Sequence, residues 1–190
     1  QNCLHLGVRS DLIQEKRDEY IQLAYTELER LMGTVQRMLD FYRPGSLDMQ
    51  RVDIADLLQH VLKLLSPQLA ERSINVLIKV PGKLPKVMAV TSQLEQVFIN
   101  IILNAYDAMP DGGDLKISMQ STRDGVEVLI HDSGSGIPDS DRTRIFEPFF
   151  STKKSGTGIG LSVSYGIIAA HGGNLDLVQD RGSGACIRIT

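Results

Sequence analysis

Two cysteines, Cys3 and Cys186, sit at opposite ends of a chain of 190 residues. So placed, they make neither a disulfide framework nor a metal site, and the usage fits a reducing cytosol. No apolar run approaches the roughly 20 residues that span a bilayer, so no direct membrane contact is expected of this segment. No signal peptide is recognisable. Net charge is −3 and no basic run stands out, which disfavours a nucleic-acid partner. GxxxxGK[ST] does not occur, which excludes a P-loop, and there is no internal repeat. The chain starts at Gln1 instead of Met. It is therefore expected to be a fragment of a longer protein, cytoplasmic here, with room upstream for a membrane or sensor region. What is present is globular: 42% apolar and 23% charged residues, enough for one domain of ordinary size and an arm.

The most informative stretch is 93–109, QLEQVFINIILNAYDAM. Leu94, Phe98, Ile101, Ile102, Ala105 and Met109 recur at helical spacing and form a core face. Asn100, Asn104 and Asp107 align on the opposite side. Short polar groups held on a mostly apolar helix need partners, because a buried one left unpaired costs roughly 1–3 kcal/mol. Either they form a satisfied polar seam in the core, or they line an oxygen-rich site for a cation and its ligand.

Before this helix the chain is helical and then mixed. Ser10 and Asp11 are N-cap candidates. Ile21, Ala24, Leu28, Leu31, Val35, Met38 and Tyr42 keep a heptad spacing, which predicts one long helix over 11–42. Such a seam needs a hairpin partner or a second copy. Arg43-Pro44-Gly45 ends it, placing a boundary between an arm, 1–45, and a domain, 46–190. A strand at 51–54, a helix at 55–70, and strands at 74–80 and 87–90 follow. After the central helix, 115–120 and 126–131 alternate and are joined by a turn at Asp124-Gly125, a hairpin. A helix at 159–170 and strands at 174–178 and 185–190 complete an α+β pattern.

Residues 133–158 show no sustained periodicity, and a loop of that length is usually functional or disordered. Glycine clusters flank it: DSGSGI from Asp132, and GTGIGL from Gly156. Glycine permits positive φ and close approach of a ligand, and a helix N-terminus suits phosphate. Each cluster alone is equally well a plain turn. Asp132, at a strand end, is placed to accept a hydrogen bond from an exocyclic amine or to make a local turn bond.

Taken together, four boxes resemble the ATP-binding domain of two-component sensor histidine kinases, within the GHKL ATPase superfamily. They are Asn100-x-x-x-Asn104-Ala105, Asp132-x-Gly134-x-Gly136-Ile137, Arg144-Ile145-Phe146-Glu147-Pro148-Phe149-Phe150, and Gly156-Thr157-Gly158-x-Gly160-Leu161. Gly182-x-Gly184 before the last strand resembles the family's ending, and 37–44, RMLDFYRP, resembles the end of its dimerisation helix. Nitrogen-regulatory and sporulation kinases are the nearest in pattern. The resemblance implies a two-layer α/β sandwich with a mixed sheet of about five strands and three helices on one face. It also implies a homodimer formed through the helical arm and a response-regulator partner. ATP is expected as substrate with Mg²⁺. Asp132 would receive the adenine amine and Asn104 would hold the metal. Gly134, Gly136, Ile137, Phe150, Thr157 and Leu161 would contact nucleotide, and Gly156, Gly158 and Gly160 would let the loop and the following helix approach the triphosphate. Phe146, Phe149 and Phe150 would anchor the loop. Lys153 and Lys154 would reach the terminal phosphate or be solvated loop charges. Asn100 stands where hydrolytic relatives carry a Glu, and an amide is no general base, so transfer to a protein is favoured over hydrolysis.

Two departures stand out. Many family members carry Lys or Arg where this chain has Asp107, which leaves Asp107 among the nucleotide-site positions without a role. The phosphoacceptor box is also missing: His5, His60, His131 and His171 lack its context, so the acceptor is expected upstream of Gln1. Competing readings are a GHKL serine kinase of the anti-sigma type and a nucleotide-sensing module without transfer activity.

Overall fold

Asp53 marks the first change of structure. It follows a short strand, β1 (Gln50–Val52), and caps the first helix, α1 (Ile54–Glu71), through Oδ1, which accepts from the amides of Ala55 at 3.1 Å and Asp56 at 3.3 Å. The cap satisfies donors that the first turn leaves open, and it draws Ile54 out of the expected strand and into the helix. Pro67 lies inside α1, where its ring nitrogen cannot bond the Lys63 carbonyl. The hydroxyl of Ser66 donates to that carbonyl instead, at 2.8 Å, and the helix continues.

The computed structural model describes residues 16, 21–23, 48–80, 82–153, 156–178 and 184–190. The chain divides into two compact units, Gln1–Gly45 and Ser46–Thr190. In the first, Lys16 and residues 21–23 are helical; the rest of the heptad helix, the RMLDFYRP segment, Lys154 and Gly182 lie outside the described residues.

In the second unit, β2 (Ile74–Lys79) and β3 (Val87–Ala89) lead into helix α2 (Thr91–Ala108). A hairpin of β4 (Gly113–Ser121) and β5 (Val126–Asp132), helix α3 (Gly160–Ala170), and strands β6 (Leu175–Val178) and β7 (Cys186–Ile189) complete it. The main sheet has five strands in the order β2-β4-β5-β7-β6, with β2 parallel to β4 and the other pairs antiparallel. It is the mixed sheet expected; β1 and β3 form a separate antiparallel ribbon.

Period-2 alternation puts Leu115, Ile117 and Met119 of β4 and Val126, Val128 and Ile130 of β5 on one buried face. Helices cover that face. α1 supplies Leu58, Val61 and Leu65, α2 supplies Val97, Phe98, Ile101, Ile102 and Ala105, and α3 supplies Ile168 to one continuous core. Just beyond the end of α1, the guanidinium of Arg72 lies 3.8 Å over the Tyr106 ring and donates to the Tyr106 carbonyl at 2.9 Å. That late-turn carbonyl of α2 also accepts the Met109 amide at 3.2 Å, so Arg72 adds a second donor there. The final strands are shorter than expected, β6 beginning at Leu175 and β7 spanning Cys186–Ile189, although Asn174 and Thr190 still exchange two backbone bonds of 2.9 and 3.0 Å. Among the described residues, no helix is long and apolar enough to cross a membrane.

Candidate nucleotide site

The polar seam of α2 does not stay within its own helix. Asn100 donates from Nδ2 to the Gly160 carbonyl and to the Ser164 hydroxyl, both at 3.3 Å. Ser164 in turn donates to the same carbonyl at 2.9 Å and is fully buried. Asn100 therefore joins α2 to the first turn of α3, where the second glycine cluster ends. At the other end of this helix pair, Val90, which precedes α2 and has no side-chain cap, donates its amide to Nε2 of His171 at 3.0 Å. An amide can only donate, so the ring proton sits on Nδ1, which donates to the Ile167 carbonyl at 2.8 Å. Sequence reasoning missed Ser164 and the Val90 bond. A small polar residue inside the apolar run 159–170 was the available signal for the first; nothing local signals the second.

One turn further along α2, Asn104 and Asp107 meet the long loop. Nζ of Lys153 lies 2.8 Å from Asp107 Oδ2 and 3.3 Å from Asn104 Oδ1. The structure thus brings Asn104, Asp107 and Lys153 together, and Asp107 gains a partner that the sequence did not supply.

Asp132 closes β5, buried, with Oδ1 accepting from the amides of Gly134 at 2.9 Å and Ala185 at 3.3 Å. Both bonds fall on Oδ1, which leaves Oδ2 available to accept. Burial pushes its carboxyl above the usual carboxylate range, and the Gly134 and Ala185 amides pull only partly against that shift.

Several of the glycines have reasons within the chain itself. A Cβ on Gly134 would collide with the Ala108 carbonyl at the end of α2, where Ser135 also bonds, at 3.3 Å. Gly136 lies against the Gly184 backbone and Gly158 against the backbone of Phe149 and Phe150, both at positive φ. Gly156 lies against the side chains of Ser151 and Lys153. Gly160 differs. A Cβ there would sit 3.7 Å from Cγ of Asn100, an ordinary contact, and its φ is not positive. The protein alone would accept a side chain at 160. Gly160→Ala should therefore leave the melting temperature within about 2 °C of the parent while weakening nucleotide binding about fivefold. Thermal melts beside a nucleotide titration check this, and a large drop in melting temperature would refute it.

The loop aromatics separate. Phe146 packs against the core with its ring 5.7 Å from that of Tyr165. Phe150 is half-buried under the Arg144 guanidinium, 4.4 Å from its ring centre. Phe149 does not anchor the loop: it is 69% exposed. Its amide bonds the Gly158 carbonyl at 3.0 Å, and its φ of 67° turns the ring outward. Ile137, Thr157 and Leu161 are half-buried along the same loop and at the start of α3, with Leu161 against the core.

A mixed five-stranded sheet, a helix bearing Asn100 and Asn104, a buried Asp at a strand end and a long glycine-flanked loop define a class of ATP-binding domain. Residues 89–190 match the family described as histidine kinase-, DNA gyrase B-, and HSP90-like ATPase, and the chain belongs to it. Within that family it carries the catalytic domain of the sensor-histidine-kinase type. Sensor histidine kinase ZraS of Escherichia coli (strain K12) is 34% identical over 168 residues, covering 88% of this chain and 36% of that protein. ShkA in complex with AMPPNP superposes with a TM-score of 0.77 at 28% identity, over 95% of this chain and 39% of that one. Histidine kinase ThkA in complex with the response regulator TrrA superposes with a TM-score of 0.79 at 25% identity, over 99% of this chain and 55% of that one. The chain thus spans about a third of the length of the curated relative ZraS.

Proposed function

We propose that residues 46–190 bind Mg²⁺-ATP for a sensor histidine kinase, and that the phosphoryl group passes to a histidine upstream of these residues and then to an aspartate of a response regulator. Residues 1–45 would belong to the helical arm through which two copies pair, and the whole would face the cytoplasm. The observation that carries this reading is Asn100. An amide stands where a hydrolase needs a carboxylate, and its N–H is committed to Gly160 and Ser164. It can neither take a proton from water nor leave its bonds without loosening α2 from α3. A domain that holds ATP without a base for water suits delivery to an external acceptor.

In this reading, Oδ2 of Asp132 accepts from the adenine amine, a charge-assisted bond in a buried setting. Asn104 offers an amide oxygen to Mg²⁺, with Asp107 one turn on. Hard oxygen donors fit that ion, and Mg²⁺ is ordinarily held by few protein groups together with phosphate oxygens and water. The ion would supply charge neutralisation on the phosphates. The chain's own contribution is positioning: α2 and α3 fix the walls, and the loop brings Lys153 to the same end. During transfer a P–N bond to the acceptor imidazole forms as the bridging P–O bond breaks, and ADP leaves. The ShkA complex with AMPPNP, an ATP analogue, supports the nucleotide, and the ThkA complex with TrrA supports the regulator.

The test is to add the upstream segment and incubate with γ-labelled ATP. Acid-labile, alkali-stable label is the expected result. Acid-stable label would point to a serine kinase, and bound ATP with no label to a sensing module. Asn104→Ala should weaken nucleotide binding about tenfold in Mg²⁺ and far less in EDTA; equal losses in both would remove Asn104 from the metal.

A further inference from the structure

Asp107 presents a charge problem. It puts a carboxylate one turn beyond Asn104, at the end of the site where three phosphates would bring further negative charge. In the structure that carboxylate is matched across 46 positions of sequence by Lys153, whose Nζ lies 2.8 Å from Oδ2. The same ammonium touches Asn104 Oδ1 at 3.3 Å, so it stands at the helix face assigned to metal and phosphate. The longer contact is to a neutral amide and the shorter to a carboxylate, so Asp107 is the group that holds the lysine there. No other ion pair among the described residues joins the loop 133–158 to α2.

We infer that Asp107 is a positioning residue that acts through Lys153: it seats the loop lysine at the phosphate end of the site, and the pair together supplies there a cation borne by the loop and not by the helix. Asp107 alone repels the triphosphate. Lys153 alone is a flexible side chain that loses considerable rotamer freedom when ordered. Paired, the carboxylate fixes the ammonium beforehand, and the ammonium cancels the carboxylate's repulsion. An exposed pair of this kind contributes little to folding, so its removal shows in nucleotide binding and not in the melt.

The inference rests on the nucleotide-binding reading above, and a double-mutant cycle separates the two. Lys153→Met, Asp107→Asn and the double variant would be titrated with Mg²⁺-AMPPNP, with thermal melts of all three. In the parent background Lys153→Met leaves Asp107 uncompensated beside phosphate and should weaken binding about tenfold. With Asp107→Asn already present, the same change should weaken binding less than about twofold, because no carboxylate remains to compensate. The coupling should shrink as salt is raised, as expected of charges in partial contact with solvent. Melting temperatures should agree within about 2 °C across the set. Lys153→Met costing the same in both backgrounds, or nothing in either, overturns the seat while leaving the nucleotide site intact. Failure of the parent chain to bind the analogue overturns both. Exchanging the charges, with Asp107→Lys and Lys153→Asp combined, should bind more tightly than Lys153→Asp alone.

Discussion

Gly184→Ala should melt about 10 °C below the parent and bind nucleotide poorly. A Cβ at 184 would run into the Asp132 carbonyl oxygen, with the Asp132 carbonyl carbon at 2.7 Å and the Ser133 Cα at 3.1 Å. All three are backbone atoms of the turn that carries the buried carboxylate, and none can move without breaking the ladder. Asp132 and Ala185 are tied by a backbone bond of 3.0 Å, and the Ala185 amide also reaches Asp132 Oδ1. The φ of Gly184 is +100°, which an alanine resists in any surroundings. Overpacking and backbone strain together amount to about 3 kcal/mol, or about 6–12 °C for a chain of this size. Gly82 is the control: its φ is +84°, but nothing lies within 4 Å of the added carbon, so Gly82→Ala meets the backbone term alone, about 1 kcal/mol. Equal losses for the two variants would show that the contact with Asp132 is not what Gly184 is for.

Asp132→Asn should separate binding from stability. A neutral amide keeps an oxygen for the Gly134 and Ala185 amides but cannot make the charge-assisted bond to an adenine amine, so nucleotide affinity should fall about 10–100-fold. Stability should move the other way. The folded-state carboxyl lies above its ordinary value because burial disfavours the charged form. Over the interval between the ordinary and the raised value, the folded chain therefore holds a proton that the unfolded chain has released. Its contribution to stability is complete below that interval and is lost as pH rises through it. The side-chain amide of the variant does not titrate and has no such proton to lose. The variant should melt above the parent at neutral pH, by about 2 °C, and the difference should vanish in acid. A variant less stable than the parent at neutral pH would mean that the carboxylate is held by more than its two amides.

The parts of this fold that can be read from sequence are those whose signals are local. α2 is legible because its apolar residues repeat with the helix, and the β4–β5 hairpin because both strands alternate around a turn that Thr122 closes on the Gly125 carbonyl at 3.0 Å. The strand before α1 ends earlier than its apolar pattern implies, because the cap at Asp53 commits Ile54 to the helix. The described residues of the loop 133–158 form neither helix nor strand, as the lack of periodicity implies, but the loop's internal contacts are not legible. Phe149 and Phe150 are adjacent and alike, and only the left-handed turn at Phe149 sends one out and keeps the other in. The seam on α2 is legible as a set of residues and not as a set of bonds. Asn100 finds Ser164 and Asp107 finds Lys153 across separations of 64 and 46 residues, and no periodicity reports on a partner so distant. The glycines are marked in position, yet Gly134, Gly136 and Gly158 turn out to serve contacts between parts of the chain, which a pattern of glycines does not distinguish from room kept for a ligand.

The bonds of Asn100 and His171 have a mechanical consequence. α2 and α3 run in opposite directions, and they are pinned twice: Asn100 to Gly160 and Ser164 near one end, Val90 to His171 at the other. With a rise of about 1.5 Å per residue the pins stand about 15 Å apart along both helices. A body fixed at two points cannot slide and can only swing about the line between them. A register shift of α3 along α2 is therefore barred while both pins hold, and a change at the phosphate end of the site falls to the far part of the loop, whose Lys153–Asp107 tie to α2 joins two side chains that can let go, while the Ser135 amide holds the start of the loop to the Ala108 carbonyl.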